Sequence, residues 1–320
     1  MLAEDDATKT PTASPLLRLP SEIRLMIYEY LLFPSTRPST TSSTSVANLV
    51  PDFHTYYSED TNNDPFTLSV RTMDPWLSPQ GSRTWRRRST YHVRAGHFLT
   101  TTTPTTYRVL LSPYTAHLRH TVPSLLPLNR QIHTEASQTL YSTYTFSFHT
   151  SVEAIVPFLS DLHPRSRTHI RHLSLTKKAL PYTKEFDRAE WSNLCSYLAA
   201  PILLPHSAEA LPAPCFPLHT LHLNIIAGRP DTRWDAIAPI PAADFPELLR
   251  LRDEGSAGVD LEWAEQLMRI KGLRAVSVKA LVEHCARPAS EKQAFWVAFS
   301  RSVVEGGFGE WLHDVMVRSS

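Results

Sequence analysis

An α+β fold is what this sequence predicts, and three observations carry the expectation. Two amphipathic runs, at 16–33 and 125–141, have the spacing of helices. The segment Tyr144-Thr145-Phe146-Ser147-Phe148 alternates aromatics with hydroxyls, as a half-buried strand does. Three segments with an L-x-x-L-x-L-like core then recur in the second half, separated by helical stretches.

The first helix is the clearest element. Ile23, Met26, Ile27, Tyr30 and Leu31 fall at i, i+3, i+4, i+7 and i+8, which predicts one apolar face. Pro20 and Ser21 supply its start, the serine as acceptor for an orphan amide, and Pro34 stops it. Residues 1–14 are polar and read as a disordered tail. From 34 to 122, Ser, Thr and Pro dominate. This stretch reads as a partly disordered insertion carrying short strands at 66–70, 91–94 and 106–111, which form a small antiparallel sheet.

Structure resumes at Leu125, where Leu128, Ile132, Ala136 and Leu140 predict a second helix with Pro127 in its first turn. The aromatic strand and a short helix at 151–162 complete a unit over 123–165. Residues 166–320 form a strand–helix domain. Its strands are Ile170 to Leu175, Leu218 to Leu223 and Leu273 to Val278, with helices near 184–200, 260–270 and 290–304. The strands lie much farther apart than the roughly 20–29 residues of an ordinary leucine-rich repeat, so the array is degenerate. Strands separated by helices favour parallel pairing.

Composition narrows the function classes. With 32 basic and 31 acidic residues the net charge is +1, which argues against a dedicated nucleic-acid or anionic-membrane binder. There are 26 prolines but only 9 glycines, and neither a phosphate-loop nor a dinucleotide-binding glycine motif occurs. The three cysteines, Cys195, Cys215 and Cys285, are widely spaced and form no C-x-x-C pair. The acidic start Met1-Leu2-Ala3-Glu4-Asp5-Asp6 is no secretory signal, and no apolar window is long enough to span a membrane. A cytoplasmic or nuclear protein without a cofactor is the expectation.

Leu17-Arg18-Leu19-Pro20-Ser21-Glu22-Ile23-Arg24 through Leu31 resembles the opening helix of an F-box. Asn129-Arg130-Gln131-Ile132-His133-Thr134-Glu135-Ala136, followed by the aromatic strand, extends the resemblance. Together the two blocks resemble a family of fungal F-box-like proteins of unknown function. The resemblance covers about 16–33 and 124–148. It implies docking to a Skp-type adaptor of a cullin-based ubiquitin ligase through Leu19, Pro20, Ile23, Ile27 and Leu31, with the C-terminal domain holding a protein substrate. An ordinary F-box keeps its helices close in sequence, whereas residues 34–122 intervene here. Either an insertion splits the motif, or the helix is structural and the chain is a scaffold in which that apolar face is buried against the second helix.

Enzymatic chemistry finds little support. His219 and His222, or His169 and His172, would point to opposite faces of a strand and not chelate together. His117-x-x-His120 supplies two ligands where a metal needs three or four. No G-x-S-x-G elbow occurs, and neighbours His284 and Cys285 do not face each other. The acidic pair Asp253-Glu254 reads as exposed loop, and Arg83-Thr84-Trp85-Arg86-Arg87-Arg88 as a solvated loop rather than a nucleic-acid grip. If the three L-x-x-L-x-L segments are neighbouring strands, Leu173, Leu175, Leu221, Leu223, Val276 and Val278 face the core. His172, Ser174, Thr220, His222, Asn224, Ser277 and Lys279 then form an open polar face suited to a protein partner.

Overall fold

The computed structural model describes residues 14–36, 64–73, 88–89, 94–95, 99–100, 105–112, 114–148, 152–178, 185–200, 216–231, 234–253 and 261–318. Residues 1–13 of the tail, most of the arginine cluster at 83–88, Tyr91 to Val93, Cys215 and Glu254 lie outside these residues.

Helix α1 (Ser21–Leu32) follows a 3₁₀ turn over Pro15–Arg18. Its start differs from expectation. Pro20 occupies the cap, and the Ser21 hydroxyl donates to the Glu22 carboxylate at 3.0 Å instead of capping an amide. The chain leaves α1 at Phe33, whose N–H still reaches Glu29 O at 2.8 Å, and Pro34 allows no continuation.

The region read as a second helix is two. Helix α2 (Leu118–Leu125) begins inside the presumed insertion, and α3 (Arg130–Thr143) begins after Pro127. The Asn129 side chain sets that second start, accepting the Gln131 N–H at 2.8 Å. Leu128 therefore lies in an exposed turn, while Ile132, Ala136 and Leu140 keep the expected core face.

Among the described residues there are nine strands: β1 (Thr67–Met73), β2 (Arg88–Ser89), β3 (Arg94–Ala95), β4 (Leu99–Thr100), β5 (Thr105–Leu110), β6 (Thr145–Phe148), β7 (His172–Lys178), β8 (Thr220–Pro230) and β9 (Ala275–Cys285). Seven make one sheet in the order β2-β5-β1-β6-β7-β8-β9, and β3 pairs with β4. The expected separate antiparallel sheet is thus corrected. β1 does pair antiparallel with β5, but its other edge is parallel to β6, so these strands extend the main sheet. From β1 to β9 the five strands β1, β6, β7, β8 and β9 are all parallel.

Parallel neighbours require crossovers, and short helices supply them. They are α4 (Ile155–Asp161) and α5 (Pro164–Arg167) before β7, α6 (Glu185–Ala199) before β8, and α7 (Phe245–Asp253) and α8 (Glu262–Leu267) before β9. Helices α9 (Glu291–Glu305) and α10 (Gly307–His313) close the fold. Register builds the core in rows. Leu68, Phe146, Leu173, Leu221 and Val276 stand side by side across the five parallel strands, and all are buried. Over them lie Trp191, Phe245, Trp263, Phe299, Phe308 and Trp311 from α6 to α10, in edge and stacked contacts such as Phe245–Trp311 at 5.0 Å. One buried cluster runs from Tyr28 in α1 to Met316 near the C-terminal end.

Candidate functional site

Helix α1 has two faces, and they are not the two its hydrophobicity predicts. Arg24, Tyr28 and Leu32, at i, i+4 and i+8, are the buried residues. The Arg24 guanidinium forks onto Glu135 of α3, with Nη2 to Oε1 at 2.6 Å and Nε to Oε2 at 2.9 Å, and its Nη1 donates to Leu19 O at 2.5 Å. Tyr28 donates to Glu135 Oε2 at 3.0 Å, and Gln131 to Oε1 at 3.0 Å. The hydrogen bond from Arg24, followed by those from Gln131 and Tyr28, holds the Glu135 carboxyl down to about 2 against the opposing effect of burial. Burial, then the hydrogen bond to Glu135, pushes Tyr28 up to about 12.

The far end of α1 is also tied down. The Tyr144 hydroxyl donates to Leu32 O at 2.7 Å. Burial pushes the His117 imidazole down, opposed by its hydrogen bonds with the carbonyls of Phe33, Leu31 and Tyr114. α1 packs on both α2 and α3, which also touch each other, although residues 33–117 separate the first helix from the second.

The opposite face of α1 faces outward. Leu19 is 36% exposed, Ile23 43%, Met26 63% and Tyr30 88%. Pro20 is exposed, Ile27 is half-buried, and Leu31 packs against the core from a partly buried position. This overturns the expectation that burial against the second helix accounts for every apolar residue of the stripe. Sequence reasoning missed the true inner face because arginine ordinarily belongs outside. Only a carboxylate 111 positions away makes it an inner residue, and no local pattern announces that.

The polar sheet face forms in register and is wider than expected. His172 pairs with Thr220, Ser174 with His222, His222 with Ser277, and Asn224 with Lys279. The rows continue through Thr145 and Ser147 to Thr67 and Ser69. These four residues were legible in the same hydroxyl alternation at 66–70 and 144–148. The face is not uniformly open, however. Ser174 and Asn224 are buried and joined at 3.1 Å, and Ser69 and Ser147 are buried too. Access increases towards β9, where Ser277 and Lys279 are exposed and His222 Nδ1 lies 2.6 Å from Ser277 Oγ.

Among the described residues, no three His, Cys, Asp or Glu side chains converge as a metal site would need. The His284–Cys285 pair lies on β9, where its members point to opposite faces. His284 instead meets Asp231 at 3.0 Å. Cys195 is buried, and that burial pushes its thiol up to about 12, which suppresses the reactive thiolate. Among the described residues no helix is long and apolar enough to cross a membrane. Comparison with protein-family models, curated proteins and solved structures finds no match.

Proposed function

We propose that the chain is a non-enzymatic interaction module that docks a Skp-type adaptor of a cullin ubiquitin ligase through α1 and recruits a protein substrate through its sheet domain. The observation that carries this reading is the outward stripe of Leu19, Pro20, Ile23, Met26 and Tyr30, together with half-buried Ile27. Leu31 anchors the base of the stripe. Large apolar side chains gathered on one exposed helix face suit a partner, whereas singly scattered ones need no explanation. Assembly of α1, α2 and α3 despite the intervening sequence adds support, since a helical docking surface needs its helices packed together.

Co-purification with a Skp-type adaptor tests the reading, wild type beside Leu19→Ala/Pro20→Ala. Both residues are exposed, so the variant is expected to fold. Capture by wild type and its loss in the variant is the expected result. Absence of capture by wild type would leave a scaffold in which the Arg24–Glu135 pair accounts for the motif.

A further inference from the structure

The amino ends of β7, β8 and β9 bring basic residues together in register. Arg171 O accepts the N–H groups of His219 at 2.8 Å and Thr220 at 3.0 Å. His219 O in turn accepts those of Arg274 at 2.8 Å and Ala275 at 3.0 Å. Arg171, His219 and Arg274 therefore stand side by side at the strand entrances, one strand spacing of about 4.8 Å apart. His172 follows directly on β7 and His222 lies on β8, and by strand alternation both turn to the other face of the sheet. Arg274 is exposed and the others are half-buried.

These groups work against one another. Burial pushes Arg171 down, and Arg274 adds to it. Burial likewise depresses His219, reinforced by Arg274, Arg171 and His172, and it depresses His172, reinforced by His222 and Arg171. His169 is lowered by burial and then by Arg171. Among the described residues, the carboxylate acting on the group is Asp64, which opposes the effect of burial on His222. Its oxygens already accept from Phe66 N at 3.0 Å and Thr67 Oγ1 at 2.8 Å. Two guanidiniums beside imidazoles whose protonation they oppose, with Asp64 the carboxylate facing them among the described residues, cost stability, and such costs concentrate at binding sites.

We propose that this rim binds an acidic peptide segment of a partner protein, its carboxylates seated on Arg171, His219 and Arg274. The Arg171 guanidinium is preorganised, because Nη1 donates to Thr168 O at 2.7 Å and Pro217 O at 3.0 Å. The extent of the rim selects the ligand class. Two strand spacings cover about 10 Å, enough for a few carboxylates and short for a nucleic-acid backbone that neutralises many phosphates. The site is independent of whether α1 docks an adaptor.

Fluorescence anisotropy with the full chain and a labelled hexaglutamate peptide tests the proposal, with hexaglutamine as control. Wild type is expected to bind hexaglutamate saturably and hexaglutamine not at all. Affinity should rise as pH falls from about 8 to about 6, because a seated carboxylate stabilises the protonated imidazole of His219. Arg274→Glu/His219→Gln should weaken binding at least about tenfold with the thermal midpoint retained. If that variant unfolds, Arg274→Gln alone should still weaken binding. Ile23→Asp should leave peptide affinity unchanged. Equal binding by the rim variants, equal binding of hexaglutamine, or tighter binding of a single-stranded oligonucleotide or a phosphoserine peptide would each overturn the proposal.

Discussion

Glu135 accepts from Arg24, Tyr28 and Gln131, and it joins two motifs that are far apart in the chain. Its carboxyl is held down to about 2 when folded, from an ordinary value of 4.5. A depressed carboxyl contributes stability that is present above the unfolded value and lost as protons are taken up below it. Stability should therefore fall as pH drops from about 4.5 towards 2, measured as the thermal midpoint across that window. Glu135→Gln should lower the midpoint at neutral pH and flatten the acid slope. An unchanged slope would sink the assignment. Tyr28→Phe should cost about 1.5 kcal/mol in denaturant unfolding, the loss of one hydrogen bond to a charged acceptor. None of this was legible from spacing. Hydrophobic periodicity sorts residues by polarity, and here a buried polar pair reverses which side of the helix faces in.

Among the elements, α3 shows how local chemistry sets a boundary that periodicity blurs. The four-residue recurrence of Leu128, Ile132, Ala136 and Leu140 ran the expected helix back through Leu128 to Leu125, whereas Asn129 caps a start at Arg130. Asn129→Ala should cost about 1 kcal/mol, read from the unfolding midpoint, and Asn129→Asp should cost far less. An equal loss in both would mean that the cap is not the cause. The inward residues of the three core strands of the second half were legible, because L-x-x-L-x-L alternation fixes which side chains point inward, but β8 and β9 run on to Pro230 and Cys285, well past the expected ends. Their inner residues meet in register as Leu173–Leu221–Val276 and Leu175–Leu223–Val278. Attachment of β1 to β6 was not legible, since strand pairing across 66–145 depends on contacts remote in sequence.

At the scale of the molecule, one buried cluster links α1 to the sheet and its helices, so α1 is held rigidly from behind while its apolar stripe faces out. Leu221→Ala, at the centre of the sheet, should destabilise by about 2–5 kcal/mol, the cost of a cavity in a packed core. Substitutions on the stripe should stay within about 0.5 kcal/mol of wild type, as exposed positions do. That contrast separates folding from docking. The most direct measurement is calorimetric titration of a Skp-type adaptor into wild type, Ile23→Asp and Val282→Asp, the last an exposed apolar residue on β9. Saturable binding by wild type and Val282→Asp, with loss in Ile23→Asp at an unchanged thermal midpoint, is the predicted result. No binding by wild type, or undiminished binding by Ile23→Asp, would contradict it.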